Sequence, residues 1–151
     1  MSESASFARR IDALAEIVAF TAAAFERQGI AAALRTEVDF VIEELFTNIV
    51  KYGRGEAPVT IEIAAIPEGV EVTLTEPDAD RFDVARAPPV DITLPAVQRR
   101  PGGLGLHLIA RLVDSVQYGY SEGERCSRIV FRKTDAAPSP GVAGHNEDQR
   151  C

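Results

Sequence analysis

The chain holds little of what covalent or metal-centred chemistry needs. Its 151 residues contain two cysteines and two histidines. Cys126 and Cys151 are too few for a disulfide framework, and Cys151 is the terminal residue, so reduced thiols and a cytoplasmic compartment are expected. No Cys/His spacing matches a zinc site. His145 falls in the C-terminal stretch, and the apolar helical context of His107 is that of a core or interface histidine, which leaves a phosphohistidine mechanism little to work with. No Gly-x-Ser-x-Gly elbow is present. No apolar run is long enough to span a bilayer. Met1-Ser2-Glu3-Ser4 lacks the basic start and apolar stretch of a signal peptide. Cations are also scarce: 16 Lys and Arg against 23 Asp and Glu leave a net charge of −7, which argues against a nucleic-acid surface. Arg99-Arg100 is the only basic pair near a candidate site. There is no internal repeat.

Apolar residues make up 46% of the chain, enough for the core of one domain. Phe7, Ile11, Leu14, Ile17 or Val18, Thr21 and Phe25 recur at helical spacing, predicting a helix from Phe7 to Gln28 that Gly29 ends. Val38, Val41, Ile42, Leu45 and Ile49 predict a second helix from about Ala33 to Tyr52, stopped by Gly53 and Gly55. Val59–Ala64 and Val70–Thr75 alternate around a Pro67-Glu68-Gly69 turn and read as a hairpin. From Pro77 to Pro101 there are five prolines and no sustained period, a length and composition typical of a lid or binding loop. A third helix is expected from near Gly105 to Leu112-Val113-Asp114, followed by strands at Ser115–Ser121 and Arg125–Lys133. From Thr134 onward the chain is rich in Pro, Ala and Gly, and the expectation is a disordered tail over 134–151. The predicted order α-α-β-β-loop-α-β-β implies an α+β, two-layer α/β sandwich with its helices on one face, not a doubly wound parallel sheet.

Two segments carry the chemistry. In Glu43-Glu44-Leu45-Phe46-Thr47-Asn48-Ile49-Val50-Lys51-Tyr52-Gly53, Glu44 and Asn48 lie four residues apart and share a helix face, with Lys51 one further turn along. A solvated helix face is the bland reading for any one Glu. Asn, a middling-to-poor helix former set between apolar neighbours, needs a reason to be there. A carboxylate beside an amide oxygen can hold hydrated Mg²⁺ and steer a nucleophile. Glu43 competes for the carboxylate role, but it is rotated off the Asn48 face. In Gly102-Gly103-Leu104-Gly105-Leu106-His107-Leu108-Ile109, glycines open into a helix whose first N–H groups favour phosphate, although a flexible hinge would look the same. Together the two segments suggest a Mg–nucleotide site built between two helices.

The chain resembles the GHKL ATPases, the Bergerat-fold superfamily of histidine kinase-like ATPase domains. More narrowly it resembles the anti-sigma-factor serine/threonine kinases of bacterial partner-switching systems. The resemblance rests on the Glu43–Gly53 segment, Arg81-Phe82-Asp83, Arg100-Pro101-Gly102-Gly103-Leu104-Gly105-Leu106-His107-Leu108-Ile109, and Leu112-Val113-Asp114-Ser115-Val116-Gln117-Tyr118, over roughly residues 7–133. It implies a Bergerat-type mixed, mostly antiparallel sheet. It implies ATP with Mg²⁺, Asn48 binding the metal, Glu44 as general base, and Lys51, Gly102, Gly103, Leu104, Gly105 and Leu106 holding the nucleotide. It implies a STAS-type anti-anti-sigma protein or a sigma factor as partner, and leaves room for a homodimer. It also sets up an alternative: a pseudokinase that binds its partner without phosphorylating it. Two departures stand out. The family reads adenine with an Asp-x-Gly box at the end of the second hairpin strand. With Phe82-Asp83 in register, Pro77 takes the Asp position and Ala79 the Gly position, unless a one-residue slip gives the adenine contact to Asp78 or Asp80. And Met1–Ser6 is too short and polar for the strand that usually precedes the first helix.

Overall fold

The computed structural model describes residues 1–53, 55–79, 103–135 and 144–145. Six strands form one sheet in the order β1-β2-β3-β5-β4-β6. They are β1 (Ser2–Phe7), β2 (Val59–Ile66), β3 (Gly69–Glu76), β4 (Ser115–Ser121), β5 (Cys126–Thr134) and β6 (Gly144–His145). All neighbours are antiparallel except β4 and β6, which run parallel. Helices α1 (Leu14–Gln28), α2 (Arg35–Tyr52) and α3 (Gly103–Leu112) complete the fold. This is the α+β sandwich that the hydrophobic periods imply, with the mixed, mostly antiparallel sheet that the resemblance implies.

Strand alternation decides which face the helices cover. Ile61, Leu74, Ile129 and Tyr118 align across β2, β3, β5 and β4, as do Ile63, Val72, Phe131 and Val116. All are buried in one cluster with Ile17 and Phe25 of α1 and Val38, Ile42, Leu45 and Phe46 of α2. Each such side chain contributes roughly 1.5–3 kcal/mol on burial. The opposite face carries Ser4, Ser6, Thr60, Glu62, Glu71 and Arg132. There Ser6 and Thr60 share a hydrogen bond of 2.9 Å, and Arg132 pairs with Glu71 at 2.6 Å.

The chain's first strand overturns two expectations. Ser2–Phe7 pairs with Val59–Ala64 as an edge strand, so the N-terminal segment does supply the strand its polarity argued against. An edge strand is held by backbone bonds to one neighbour and needs few apolar side chains. Ala5 and Phe7 point inward here, and the inward Glu3 is taken up by Arg27 and Gln28 of α1, at 2.6 and 3.3 Å. Gln28 then continues the ladder with its side-chain amide. It donates to the Ile63 carbonyl at 2.9 Å and accepts from the Ala65 N–H at 2.8 Å. Phe7 accordingly belongs to β1, and the first helix begins only at Leu14, after a 3₁₀ turn at Ile11–Ala13. Its other end is as expected: Gly29 takes the left-handed φ of 65° that glycine tolerates, and the Ile30 N–H bonds back to the Phe25 carbonyl at 2.9 Å.

Three smaller corrections follow. Cys126 is a member of a disulfide, not a reduced thiol; Cys151, the other cysteine, lies outside the described residues. His107 is exposed, which rules out the core half of its expected core-or-interface setting. Of the expected disordered tail, Gly144–His145 forms a strand; most of the rest lies outside the described residues, as does the segment 80–102 that holds the expected lid.

The far end of α3 is fixed by Lys133. Its ammonium donates to the Leu112 carbonyl at 2.6 Å, where the helix dipole favours a cation, and pairs with Glu37 of α2 at 2.5 Å. Next to it Asp114 accepts from the N–H and the hydroxyl of Thr134, at 2.8 and 2.6 Å. Lys133 thus ties β5 to both α2 and α3. Lys133→Met should lower stability by about 1–2 kcal/mol, the scale of a half-buried charged hydrogen bond. An unchanged urea midpoint would contradict this role.

Candidate functional site

Helix α2 carries the two polar residues that the sequence singled out. Glu44 and Asn48 are both half-buried on one face of it, in contrast to Glu43, which is exposed. Asn48 Nδ2 is buried with no hydrogen-bond partner. A buried N–H donor left unpaired costs roughly 1–3 kcal/mol, so this one is kept at a cost that a bound hydrogen-bond acceptor, such as a phosphate oxygen, could relieve. Lys51 is exposed in the last turn of the same helix.

Helix α3 begins at Gly103, two residues ahead of expectation. Gly103, Leu104, Gly105 and Leu106 therefore lie within its first turns, where backbone N–H groups lack helical partners. Gly102 lies outside the described residues. Helices α2 and α3 pack against each other.

The end of β3 departs from the expected register. β3 alternates so that Val70, Val72, Leu74 and then Glu76 face inward, and Glu76 is buried. Two residues on, Asp78 has a φ of 53°, a left-handed conformation that favours glycine. The inward carboxylate at the end of β3 is thus that of Glu76, one residue before Pro77, which the Phe82-Asp83 alignment sets at the Asp position. Strand parity was the available signal: Val70, Val72 and Leu74 already fix Glu76 as inward. Asp78 itself sits at the surface, its carboxylate 3.5 Å from Arg125. Ala79 is fully buried, its N–H donating to the Arg125 carbonyl at 2.6 Å and its carbonyl accepting from the Tyr120 hydroxyl at 2.9 Å.

Glu76 is committed to partners. Arg9 Nη1 donates to its Oε1 at 2.7 Å, and the Ser127 hydroxyl donates to its Oε2 at 3.3 Å. The two charged side chains are 6% and 10% exposed, so this is a buried ion pair. Arg9 also donates from Nη2 to the Pro77 carbonyl and from Nε to the Ala57 carbonyl, each at 3.1 Å. The clasp presses on the end of α2, where Gly53 is required for space. A Cβ there would lie 2.5 Å from the Ile49 carbonyl oxygen and 2.6 Å from Glu76 Oε1. The carboxylate that the fold brings against the end of α2, just beyond Asn48, is therefore that of Glu76.

The donor set is one for a metal–nucleotide complex more than for a free metal. Among the described residues there is no cluster of three or more His, Cys, Asp or Glu side chains able to hold an ion. Asn48 and Glu44 offer hard oxygen donors, and Mg²⁺ commonly takes one or two protein ligands, several waters and phosphate oxygens. These residues fit Mg²⁺ delivered with a nucleotide.

The histidine kinase-like ATPase domain profile matches residues 7–133. Serine-protein kinase RsbW of Listeria monocytogenes serovar 1/2a is 31% identical over 94 residues, covering 58% of this chain and 59% of the relative. The protein of the same name from serotype 4a of that species is 30% identical over the same extent. The matched stretch thus spans less than two thirds of these relatives' own length. The crystal structure of the RsbU and RsbW domains of Rv1364c from Mycobacterium tuberculosis superposes with a TM-score of 0.62 at 12% identity, over 95% of this chain and 35% of that one. At that identity the likeness is one of fold.

Breaking a buried ion pair from one side leaves an uncompensated charge, which typically costs 3–5 kcal/mol. Arg9→Ala should destabilise the chain by about that much. Arg9→Ala combined with Glu76→Ala should cost clearly less than the sum of the two single changes, because neither charge is then stranded. Additive losses in a denaturation cycle would show that the pair is not a unit.

Proposed function

The chain belongs to the histidine kinase-like ATPase domain family, and from that premise we propose that it is an ATP-dependent serine/threonine protein kinase acting as an anti-sigma regulatory factor on a STAS-type partner. The observation that carries the reading is Asn48 Nδ2, a buried N–H donor without a partner on the Glu44 face of α2, which a nucleotide phosphate oxygen could accept from while Oδ1 is left for the metal. The named relatives, called serine-protein kinases, support the same class. A cytoplasmic location goes with this role, and no described helix is long and apolar enough to cross a membrane.

Mg–ATP, when bound, supplies the phosphoryl group and neutralises its charge. Phosphoryl transfer is mostly positioning and electrostatics, so the protein needs few groups of its own. Asn48 would hold the metal through Oδ1. Glu44 would orient the partner's serine and take its proton as the hydroxyl oxygen bonds to the γ-phosphorus and the bridging P–O bond breaks, releasing ADP. The first N–H groups of α3 at Gly103, Leu104 and Gly105 would receive phosphate oxygens, with Gly102 ahead of them and Leu106 behind. Lys51 lies one turn beyond Asn48, a place suited to a phosphate oxygen further out.

Calorimetry should detect Mg–ATP, and Mg²⁺ alone should bind far more weakly. Asn48→Ala should remove the metal dependence. Glu44→Gln should retain nucleotide but abolish phosphotransfer to a serine, because a base acts in the transition state. Equal loss of binding in both variants would refute the separate roles. No heat and no thermal shift with Mg–ATP would sink the kinase altogether.

One observation favours the pseudokinase as a second reading: the inward carboxylate at the end of β3, Glu76, is engaged by Arg9 and Ser127 and would be spent if that position were to read adenine. Selectivity for a base comes from a buried polar group that the wrong base leaves unpaired. Glu76 already has partners, and Asp78 faces solvent. ATP and GTP should therefore bind within roughly tenfold of each other, about 1.4 kcal/mol. A strong ATP preference that Asp78→Ala erases would instead return the adenine contact to Asp78.

A further inference from the structure

Away from the Glu44–Asn48 face, α1 and α2 leave a groove of about 370 Å³. Leu14, Ile17 and Val18 of α1 and Ile42 of α2 form its apolar walls, and Asp39 and Glu43 of α2 its acidic side. The apolar lining continues outward: Val18 of α1 and Ile11, in the 3₁₀ turn before it, are 41% and 44% exposed. Asp39 is poorly satisfied. Its Oδ1 is buried without a hydrogen-bond partner, and its Oδ2 meets only the Nε of Arg35, at 3.2 Å. That Nε is itself without a hydrogen bond, so the contact is an ion pair out of line. Burial holds the Asp39 carboxyl above its usual range; Arg35 opposes the shift, and the neighbouring charge of Glu43 adds to it.

An apolar channel ending in two carboxylates has the chemistry of a slot for a long cationic side chain. The stem lies along apolar walls and the head meets the acids. We propose that this groove docks an arginine of the protein partner, flanked there by apolar residues that cover Ile11 and Val18. Arginine is favoured over lysine because Asp39 and Glu43 stand four residues apart on one helix face, and a planar guanidinium can serve two carboxylates at once. The volume admits one or two side chains, not a whole helix. The chain's net charge of −7 would draw a basic segment toward it. This inference rests on the protein-partner part of the proposed function and is independent of its nucleotide part.

The test is an amide NMR titration of the whole chain with N-acetyl-arginine N-methylamide, alongside its lysine and citrulline counterparts. Shifts should concentrate at residues 14–18 and 39–43, and the neutral citrulline probe should bind at least tenfold more weakly. Asp39→Asn should weaken the arginine probe at least fivefold. Glu43→Gln, an exposed position where folding is not at risk, should weaken it measurably. Equal binding of citrulline, equal binding of lysine, or shifts scattered elsewhere would overturn the assignment. Concentration-dependent shifts at these residues without any probe would overturn it in favour of a second copy of the chain. Mg–ATP added to the same sample reports separately at 44–48, so loss of nucleotide binding counts against the kinase and loss of the arginine response against the groove.

Discussion

The guanidinium of Arg9 holds three separate parts of the chain at one point. It leaves the end of the edge strand β1, bonds the Ala57 carbonyl in the loop after α2, and meets both Glu76 and the Pro77 carbonyl at the end of β3. Every donor it uses is spent on a backbone carbonyl or a carboxylate inside the fold. The pair is costly to desolvate, and its geometry repays that cost only while all partners are in place. Its position has a consequence for the site. A Cβ on Gly53 would lie 2.5 Å from the Ile49 carbonyl oxygen and one on Gly55 2.7 Å from the Asp78 carbonyl oxygen, with the guanidinium nitrogens next at 2.9 and 3.0 Å. The C-terminal end of α2, and with it the turn bearing Asn48, is therefore seated on the same clasp that closes the end of β3.

The clasp also bears on what the site can read. A carboxylate at the end of an inward-alternating strand is well placed to recognise a donor on a ligand. Here that carboxylate accepts from Arg9 and from Ser127 of β5. With its carboxylate so engaged, Glu76 serves the fold as a link between the first strand, the loop after α2 and the middle of the sheet. Binding would then lean on phosphate and metal contacts at α3 and Asn48, which are indifferent to the base.

Periodicity disclosed most of this architecture because the core is one-sided. The apolar stripe of α2 and the alternation of β2 and β3 each have a single buried face, and all the apolar positions expected on α2 are buried. What escaped was set by long-range partners. Ser2–Phe7 is a strand because Gln28 and Arg27, more than twenty residues away, satisfy its neighbourhood. No local pattern in Ser-Glu-Ser-Ala-Ser-Phe announces that. Phe7 fitted the period of the first helix by coincidence. The inward place of Glu76 was legible in the pleat of β3, but the reading of this stretch was anchored downstream, on Phe82-Asp83. Glu44 and Asn48 were legible because helical spacing alone puts them on one face, whereas the lone buried Nδ2 that gives the pair its meaning appears only in three dimensions.

Helix α2 carries two acidic positions of different kinds, a turn of about 100° apart at Glu43 and Glu44. Glu43 joins Asp39 in facing α1, and Glu44 joins Asn48 on the other side. Each pair is spaced four residues along the helix, so each is a line of polar groups running parallel to the axis. A partner held at one line is within a helix diameter of the other. Carboxylates with little paired charge around them would repel each other and an incoming phosphate, so this arrangement calls for a cation on each side. On the Glu44 face the hard oxygen donors suit a metal ion. On the Asp39 face Arg35 supplies one cation, but at 3.2 Å and out of line it leaves one carboxylate oxygen buried without a donor. The groove beside that oxygen is apolar enough to hold a side chain's stem and acidic enough to want its head. On the proposed reading, a partner whose arginine is held at Asp39 and Glu43 would have its serine near Glu44, one residue along the same helix.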